Sequence, residues 1–269
     1  MKPALNGTLL SRHDINPELA VFRIGKEGGL FDFEAGQYTV IGLPAGHPRC
    51  PECDPEENPP HPDKLIRRAY SIASSSQQGE FVELYITLVG SGELTPRLWM
   101  LKPGDPLWIA PKATGHFTLE DAPAEVNLLL ISTGTGLAPF ISMIRTEHAC
   151  NIGRKFVVVH GARYSWDLGY RSMLESLQDQ CGKSFAYLPM ISRPQRDVDW
   201  GGHVGRIQTV FTDGSLESLI QEPLEPNRYH AFLCGNPGMV VSVQEILEGF
   251  GYSLHSPRRP GTLHIEKYW

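Results

Sequence analysis

Arg68, Ala69, Tyr70 and Ser71 present a guanidinium fork, an aromatic ring and a small hydroxyl within four residues. On an extended strand Arg68 and Tyr70 share one face and Ser71 takes the other. A guanidinium grips a diphosphate through two parallel N–H···O bonds, and a ring two residues away can stack on a flat ligand. An edge strand with a solvated arginine and a packed tyrosine would carry the same four residues. Gly92-Glu93-Leu94-Thr95-Pro96-Arg97-Leu98 reads as a glycine turn running into a helix, with Thr95 as N-cap and Pro96 at the first helical position. The N–H groups at such a terminus attract anions, which makes Leu94 and Thr95 candidates for a phosphate site.

A second set lies further on. Gly134-Thr135-Gly136-Leu137-Ala138-Pro139 follows an apolar run and opens a helical pattern. Glycine lets the backbone approach a pyrophosphate, and the helix offers its N-terminus, so Thr135 and Gly136 are candidate ligand contacts. Cys234-Gly235-Asn236-Pro237 ends what reads as the last parallel strand, where open α/β sheets bind ligands. Cys234 can lie against a flat ring there, and Gly235 gives access; a small buried residue of the core is the plain alternative.

The elements that must position these residues change character along the chain. Ala20–Ile24, Gln37–Leu43, Tyr70–Ala73, Phe81–Leu88 and Pro106–Ala110 are short apolar or alternating segments separated by glycine and proline, which predicts an antiparallel barrel. After Ala122–Pro123 the period changes. Val126–Ser132, Lys155–His160, Phe185–Ile191 and Tyr229–Cys234 read as strands, and helical patterns follow Gly136, span Leu168–Leu177 and cover Val240–Phe250. Strand alternating with helix implies a parallel sheet with right-handed crossovers. Two domains are therefore expected, 1–122 and 123–269, consistent with 269 residues at about 150 per domain. Thr262–Glu266 alternates like a final strand, and Tyr268 and Trp269 after it suggest a docked aromatic tail.

Composition removes some classes of function. A net charge of −6 argues against nucleic acid as main partner. No run approaches the roughly 18 apolar residues of a membrane helix. The first residues show no apolar leader core, and the five cysteines are an odd, mostly scattered set; a cytoplasmic, monomeric protein with reduced thiols is expected.

Taken in order, Arg-Ala-Tyr-Ser, Gly-Glu-Leu-Thr-Pro-Arg-Leu, Gly-Thr-Gly-Leu-Ala-Pro and Cys-Gly-Asn-Pro resemble the ferredoxin–NADP+ reductase family. His160-Gly161-Ala162-Arg163-Tyr164, Arg258-Arg259-Pro260-Gly261 and the ending Glu266-Lys267-Tyr268-Trp269 sharpen the resemblance to its bacterial ferredoxin/flavodoxin branch. The resemblance implies a two-domain fold, an FAD-binding antiparallel β-barrel of six strands followed by an NADP-binding parallel α/β domain. It implies hydride exchange between NADP(H) and FAD N5, and single-electron exchange with ferredoxin or flavodoxin. By position, Arg68, Ala69, Tyr70, Ser71, Leu94 and Thr95 would hold FAD, with Ser71 near its N5 edge. Thr135, Gly136 and Gly235 would face the nicotinamide end of NADP. Arg163, Arg193 and Arg206 would surround the 2′-phosphate; a dianion wants several guanidinium groups, and no acid follows the second strand to favour NAD. Cys234 and Glu266 would flank the reacting rings, with Tyr268 and Trp269 covering the flavin or stacking on its adenine. Lys64, Arg67, Arg97, Arg258 and Arg259 would steer an acidic partner.

Ala45–Asp63 departs from the family pattern. It is dense in proline, with His47, Cys50, Cys53 and His61, and reads as a long loop inserted between barrel strands. Cys₂His₂ is a zinc-type donor set, but one Cys-x-x-Cys with this histidine spacing matches no standard finger, so no metal is expected. A redox dithiol is disfavoured by the absence of a following helix to lower a thiol pKa. Two rival functions share some of these features. A reductase component of an oxygenase often adds an iron–sulfur domain, whose cysteine signature is missing. A non-catalytic flavin-binding module would not need the Tyr70, Cys234 and Glu266 set.

Overall fold

Alternation and glycine–proline punctuation give six strands in the first part of the chain. These are β1 (Gly7–Asn16), β2 (Leu19–Lys26), β3 (Tyr38–Pro44), β4 (Leu65–Ser71), β5 (Val82–Thr87) and β6 (Pro106–Ile109), with the four-residue helix α1 (Thr95–Leu98) between β5 and β6. The computed structural model describes residues 4–150 and 153–267. It divides into two compact units, Met1–Thr118 and Leu119–Trp269.

In the first unit the strands run in the order β4-β3-β6-β1-β2-β5, and each paired neighbour is antiparallel. A bridge from Ile72 to Leu84, with Ala73 N–H donating to Glu83 O at 2.7 Å, draws the two ends of the sheet together. Phe22, Ile24, Ile41, Leu43 and Ile86 fill the interior, and Leu94 and Leu98 plug it from the segment around α1. Strand β1 was not foreseen. Its second half, Ser11–Asn16, is polar and open to solvent, and its register shifts twice, so no clean alternation marks it.

The second unit contains β7 (Asn127–Thr133), α2 (Ala138–Thr146), β8 (Phe156–Ala162), α3 (Arg171–Cys181), β9 (Phe185–Ile191), the two-residue β10 (His203–Val204), α4 (Ser215–Ile220), β11 (Tyr229–Cys234), α5 (Pro237–Gly249) and β12 (Leu263–Glu266). The sheet order is β10-β9-β8-β7-β11-β12 and every pairing is parallel. Central β7 is buried from Leu128 to Ser132 because helices cover both faces of such sheets. The expectation that Cys234 ends the last parallel strand is corrected, since β12 adds in parallel beyond β11. Its register, Cys234 opposite Glu266, is set by Leu263 packing into the same core as Ala231 and Leu233.

Cysteine usage also differs from expectation. Cys150 and Cys181 form a disulfide across 4.8 Å of Cα separation, while Cys50, Cys53 and Cys234 are not in disulfides. The two half-cystines are far apart in sequence, but Cys181 ends α3 and Cys150 follows α2, and packing of those helix ends brings them together.

Candidate functional site

In the barrel unit, β4 carries Arg67, Arg68 and Ala69 on exposed surface, followed by half-buried Tyr70 and buried Ser71. Pairing with β3 puts Arg68 opposite Ile41, Tyr70 opposite Thr39 and Ser71 opposite Tyr38. Arg68 Nη2 donates to Glu93 Oε2 at 2.6 Å and Nη1 donates to the Arg67 carbonyl at 2.7 Å. The two motifs read from the sequence are thus brought together at Arg68 and Glu93. With side chains 52% and 41% exposed, this pair is worth little, about 0–1 kcal/mol, so Arg68 is weakly held. Burial pushes the Tyr70 phenol up, which keeps it a neutral, stackable ring. Ala69 between them points to the opposite face of the strand.

The reading of Thr95 as N-cap fails. Leu94 holds the cap position without a side-chain bond, and Thr95 is the first helical residue. Its hydroxyl accepts from Val89 N–H at 3.0 Å and donates to Val89 O at 3.1 Å, closing the turn before the helix. An anion at this segment would meet main-chain N–H groups rather than that hydroxyl.

Arg97 is also not what the sequence suggested. It is 2% exposed, so it belongs to no steering patch. It donates to Ala45 O at 2.6 Å, to Glu93 O at 2.6 Å, and to both carboxylate oxygens of Glu56 at 2.8 and 2.7 Å. Arg49 adds bonds to Glu56, to Gly92 O at 2.9 Å and to Asp54 O at 2.7 Å. The Glu56 carboxyl is held below its usual range, first by the hydrogen bonds from Arg97 and then by the Arg97 and Arg49 charges. The proline-rich loop is therefore clamped to the start of α1. Sequence reading missed this because nothing in the spacing of Arg49, Glu56 and Arg97 shows that they converge.

In the sheet unit the candidate residues all lie at the carboxyl ends of parallel strands, where such sheets bind ligands. Gly134–Leu137 forms a 3-10 turn after β7, with Gly134 in the left-handed region at φ 54°. A Cβ on Gly136 would stand 2.6 Å from Gly235 Cα, and one on Gly235 would stand 2.8 Å from Thr133 N. Gly235 also has φ 138°. Thr133 Oγ1 accepts from Asn236 N–H at 2.7 Å, tying the two strand ends together. Asn236 caps α5 by accepting from Gly238 and Met239 N–H. Only glycine fits on both sides of this approach, and both glycines are buried where the ends of β7 and β11 meet.

Arg163 follows β8, Arg193 follows β9 and Arg206 follows β10, and all three are exposed. Arg193 N–H donates to Arg163 O at 3.0 Å, and Gly205 N–H to Ile191 O at 2.9 Å, so the three turns run side by side. Arg163 faces Asp167 at 3.7 Å. Tyr164 and Trp166 stack beside it, with ring centroids 4.7 Å apart, and were not singled out from sequence as a pair. Two aromatic residues just after Arg163 were the available signal, with Trp166 in the short 3-10 turn Ser165–Asp167. Below them His160 is fully buried, with its pKa brought down to about 4 by burial, so it stays neutral.

Cys234 is fully buried and Glu266 half-buried, with Sγ 3.5 Å from Oε2. The parallel register of β11 and β12 alone puts them side by side. Tyr268 and Trp269 lie outside the described residues. Among the described residues no group of three or more histidine, cysteine or acidic side chains is assembled to hold a metal ion. No helix among them is long and apolar enough to cross a membrane.

Comparison with known proteins places this geometry. Residues 130–245 match the family model described as an oxidoreductase NAD-binding domain. The chain is similar to the ferredoxin NADP+ reductase from Neisseria gonorrhoeae, solved with bound FAD and NADP, at a TM-score of 0.82 and 24% identity over 98% of each chain. It is 33% identical to the ferredoxin–NADP reductase of Pseudomonas aeruginosa, covering 96% of this chain and 95% of that one. Identity is also 33% over 251 residues to the flavodoxin/ferredoxin–NADP reductase of Escherichia coli, 93% of both chains. With that identity along nearly the whole length, on an antiparallel barrel followed by a parallel sheet, the chain belongs to the flavodoxin/ferredoxin–NADP reductase family.

Proposed function

We propose that this chain is an NADP-dependent flavoenzyme that exchanges a hydride between NADP(H) and FAD, and single electrons between FAD and a ferredoxin or flavodoxin. FAD is assigned to residues 1–122 and NADP(H) to residues 123–269. The observation that carries the reading is the carboxyl edge of the parallel sheet. The glycine-only approach of the β7 and β11 ends at Gly136 and Gly235, and three exposed arginines after successive strands, fit a dinucleotide with an added phosphate.

Each residue then has a task. Arg68 binds the FAD diphosphate, its exposed bond to Glu93 being the one it gives up. Main-chain groups at Leu94 and Thr95 complete that phosphate site. Tyr70 stacks on the flavin, Ala69 lies between it and Arg68 on the strand, and Ser71 stands at the flavin N5 edge. Arg163, Arg193 and Arg206 bind the 2′-phosphate and exclude NADH by leaving their charges uncompensated. Thr135, Gly136 and Gly235 admit the nicotinamide end. Cys234 and Glu266, fixed by strand register, orient that ring and keep water from it. Tyr268 and Trp269 are assigned to the FAD, to cover the flavin or to stack on its adenine. FAD, when bound, supplies both two-electron and one-electron chemistry, so the protein contributes orientation rather than an acid–base group.

Lys64, Arg67, Arg258 and Arg259 are exposed and would attract an acidic protein partner; Arg97 is removed from that set. We place the protein in the cytoplasm as a monomer. The Cys150–Cys181 bridge pulls against that location, and trapping thiols at cell lysis decides the point.

The test is the absorbance spectrum of the purified protein under anaerobic conditions. A flavin spectrum bleached by NADPH and restored by oxidised flavodoxin supports the reading. A colourless protein that ignores added FAD overturns it.

A further inference from the structure

Against the expectation from sequence, which asked for a following helix, the turn geometry leads us to propose that Cys50 and Cys53 are a reversible dithiol–disulfide pair, a site on the proline-rich loop where the chain undergoes exchange with a disulfide substrate. The geometry comes first. Cys50-Pro51-Glu52-Cys53 forms a turn closed by Cys53 N–H donating to Cys50 O at 3.1 Å. A turn of this kind holds its first and fourth Cα atoms within about 7 Å. Disulfides span about 4.4–6.8 Å between Cα atoms, so the ring can close with little backbone movement. Pro51 at the second position fixes φ and reduces the freedom lost on closure.

The surroundings hold this turn still. Cys50 N–H donates to Pro96 O at 2.9 Å, and the next residue along, Arg49, is bonded to Glu56, Gly90 and Gly92. Glu56 in turn is gripped by buried Arg97. Both thiols are half-exposed, within reach of a solution partner. Cys50 Sγ donates to Glu52 Oε2 at 3.0 Å, so its proton already has an acceptor. Cys53 lies in hydrogen-bond reach of Cys50, and burial together with that neighbour pushes its thiol up to about 11. The two sulfurs therefore differ: Cys50 is set to attack and Cys53 to resolve.

The chemistry balances without metal or flavin. The Cys50 sulfur, giving its proton to solvent, attacks one sulfur of a small-molecule disulfide. A Cys50–S–S–R bond forms, the substrate S–S bond breaks, and one thiolate leaves. Cys53 then attacks the Cys50 sulfur, its proton passing to solvent, and expels the second thiolate. Two protein thiols are oxidised and one substrate disulfide is reduced to two thiols. Among the described residues no group of three or more histidine, cysteine or acidic side chains is assembled around these thiols, and each nearby histidine has its Nδ1 against local backbone. His61 Nδ1 accepts from Asp63 N–H at 3.2 Å, and His47 Nδ1 sits 3.3 Å from Pro48 O.

The experiment uses the full-length protein as purified, with its bound flavin. The protein is reduced, freed of reductant, incubated with oxidised glutathione, alkylated and mapped by peptide mass. The expected result is loss of two hydrogens within the peptide holding Cys50 and Cys53, reversed by a phosphine reductant. Cys53→Ser should stop at a stable glutathione adduct on Cys50. Peptide mapping separates this from Cys150–Cys181. Thiols that stay fully alkylatable, or adducts on both cysteines without ring closure, would overturn the proposal. So would zinc co-purifying with the protein and shielding both thiols until a chelator removes it. The readout does not depend on the flavin assignment, and wild-type chain alone decides it if the variant misfolds.

Discussion

In the barrel unit the candidate phosphate grip is a side chain, Arg68, lying across open surface on Glu93. In the sheet unit the candidate dinucleotide seat is backbone, Gly136 against Gly235 and Thr133, with no room for a Cβ. The first can be altered with little consequence for folding, because an exposed ion pair is weak. The second cannot, because the strand ends that bind are also strand ends that pack. Arg97 shows the same contrast within one unit. It resembles Arg68 in sequence, yet it is buried and knits a loop to a helix. Charge type says little about role until burial is known.

The largest expected effect follows from that pair of arginines. Arg97→Ala would leave two carbonyls without their donor and the Glu56 carboxylate with Arg49 alone, and should cost about 3 kcal/mol in denaturant unfolding. Loss of less than about 1 kcal/mol would mean the clamp is not formed in solution. Gly235→Ala should cost about 1–3 kcal/mol from backbone strain at φ 138° alone, and weaken NADPH binding in titration. Unchanged affinity and stability would break the claim that this approach is built for glycine.

A pH experiment sharpens the same contrast in the sheet unit. His264 stacks between Phe232 at 4.2 Å and His255 at 4.6 Å, and lies 3.3 Å from His230 Nδ1. Burial, then the charges of His255 and His230, bring its pKa down to about 3. A folded-state value below the ordinary 6.5 means the folded form resists protonation. Its contribution is whole above about pH 6.5 and is lost as pH falls from there toward 3. Stability measured across that window should slope less in His264→Gln; an identical acid limb would contradict the assignment. The smallest effect belongs to Arg68→Ala. Stability should change by less than about 1 kcal/mol, while flavin retention on dilution drops. Intact flavin retention would remove Arg68 from the site.

Legibility in the sequence followed the physics of each element. Strands β9 and β11 were read to the residue because unbroken apolar runs between polar breaks mark a doubly covered strand. Polar, twice-shifted β1 gave no such mark. Arg193 and Gly235 could be placed just past strand ends, and Arg68 on a strand, from the sequence pattern alone; the tasks given to them are proposals. Arg97 and Thr95 were misread because their partners, Glu56 and Val89, are fixed by tertiary packing. The disulfide escaped for the same reason, since the spacing from Cys150 to Cys181 says nothing about two helix ends meeting.

The central claim is that the carboxyl edge of the parallel sheet is built for NADP(H), with Arg193 and Arg206 reading its extra phosphate. Steady-state kcat/KM for NADPH and for NADH, in the wild type and in Arg193→Ala with Arg206→Ala, tests it most directly. Each lost charge-assisted bond should cost about 1.5–3 kcal/mol with NADPH and leave NADH nearly untouched, so the strong wild-type preference should collapse. Equal use of both coenzymes by the wild type, or equal losses for both in the double variant, would contradict the account.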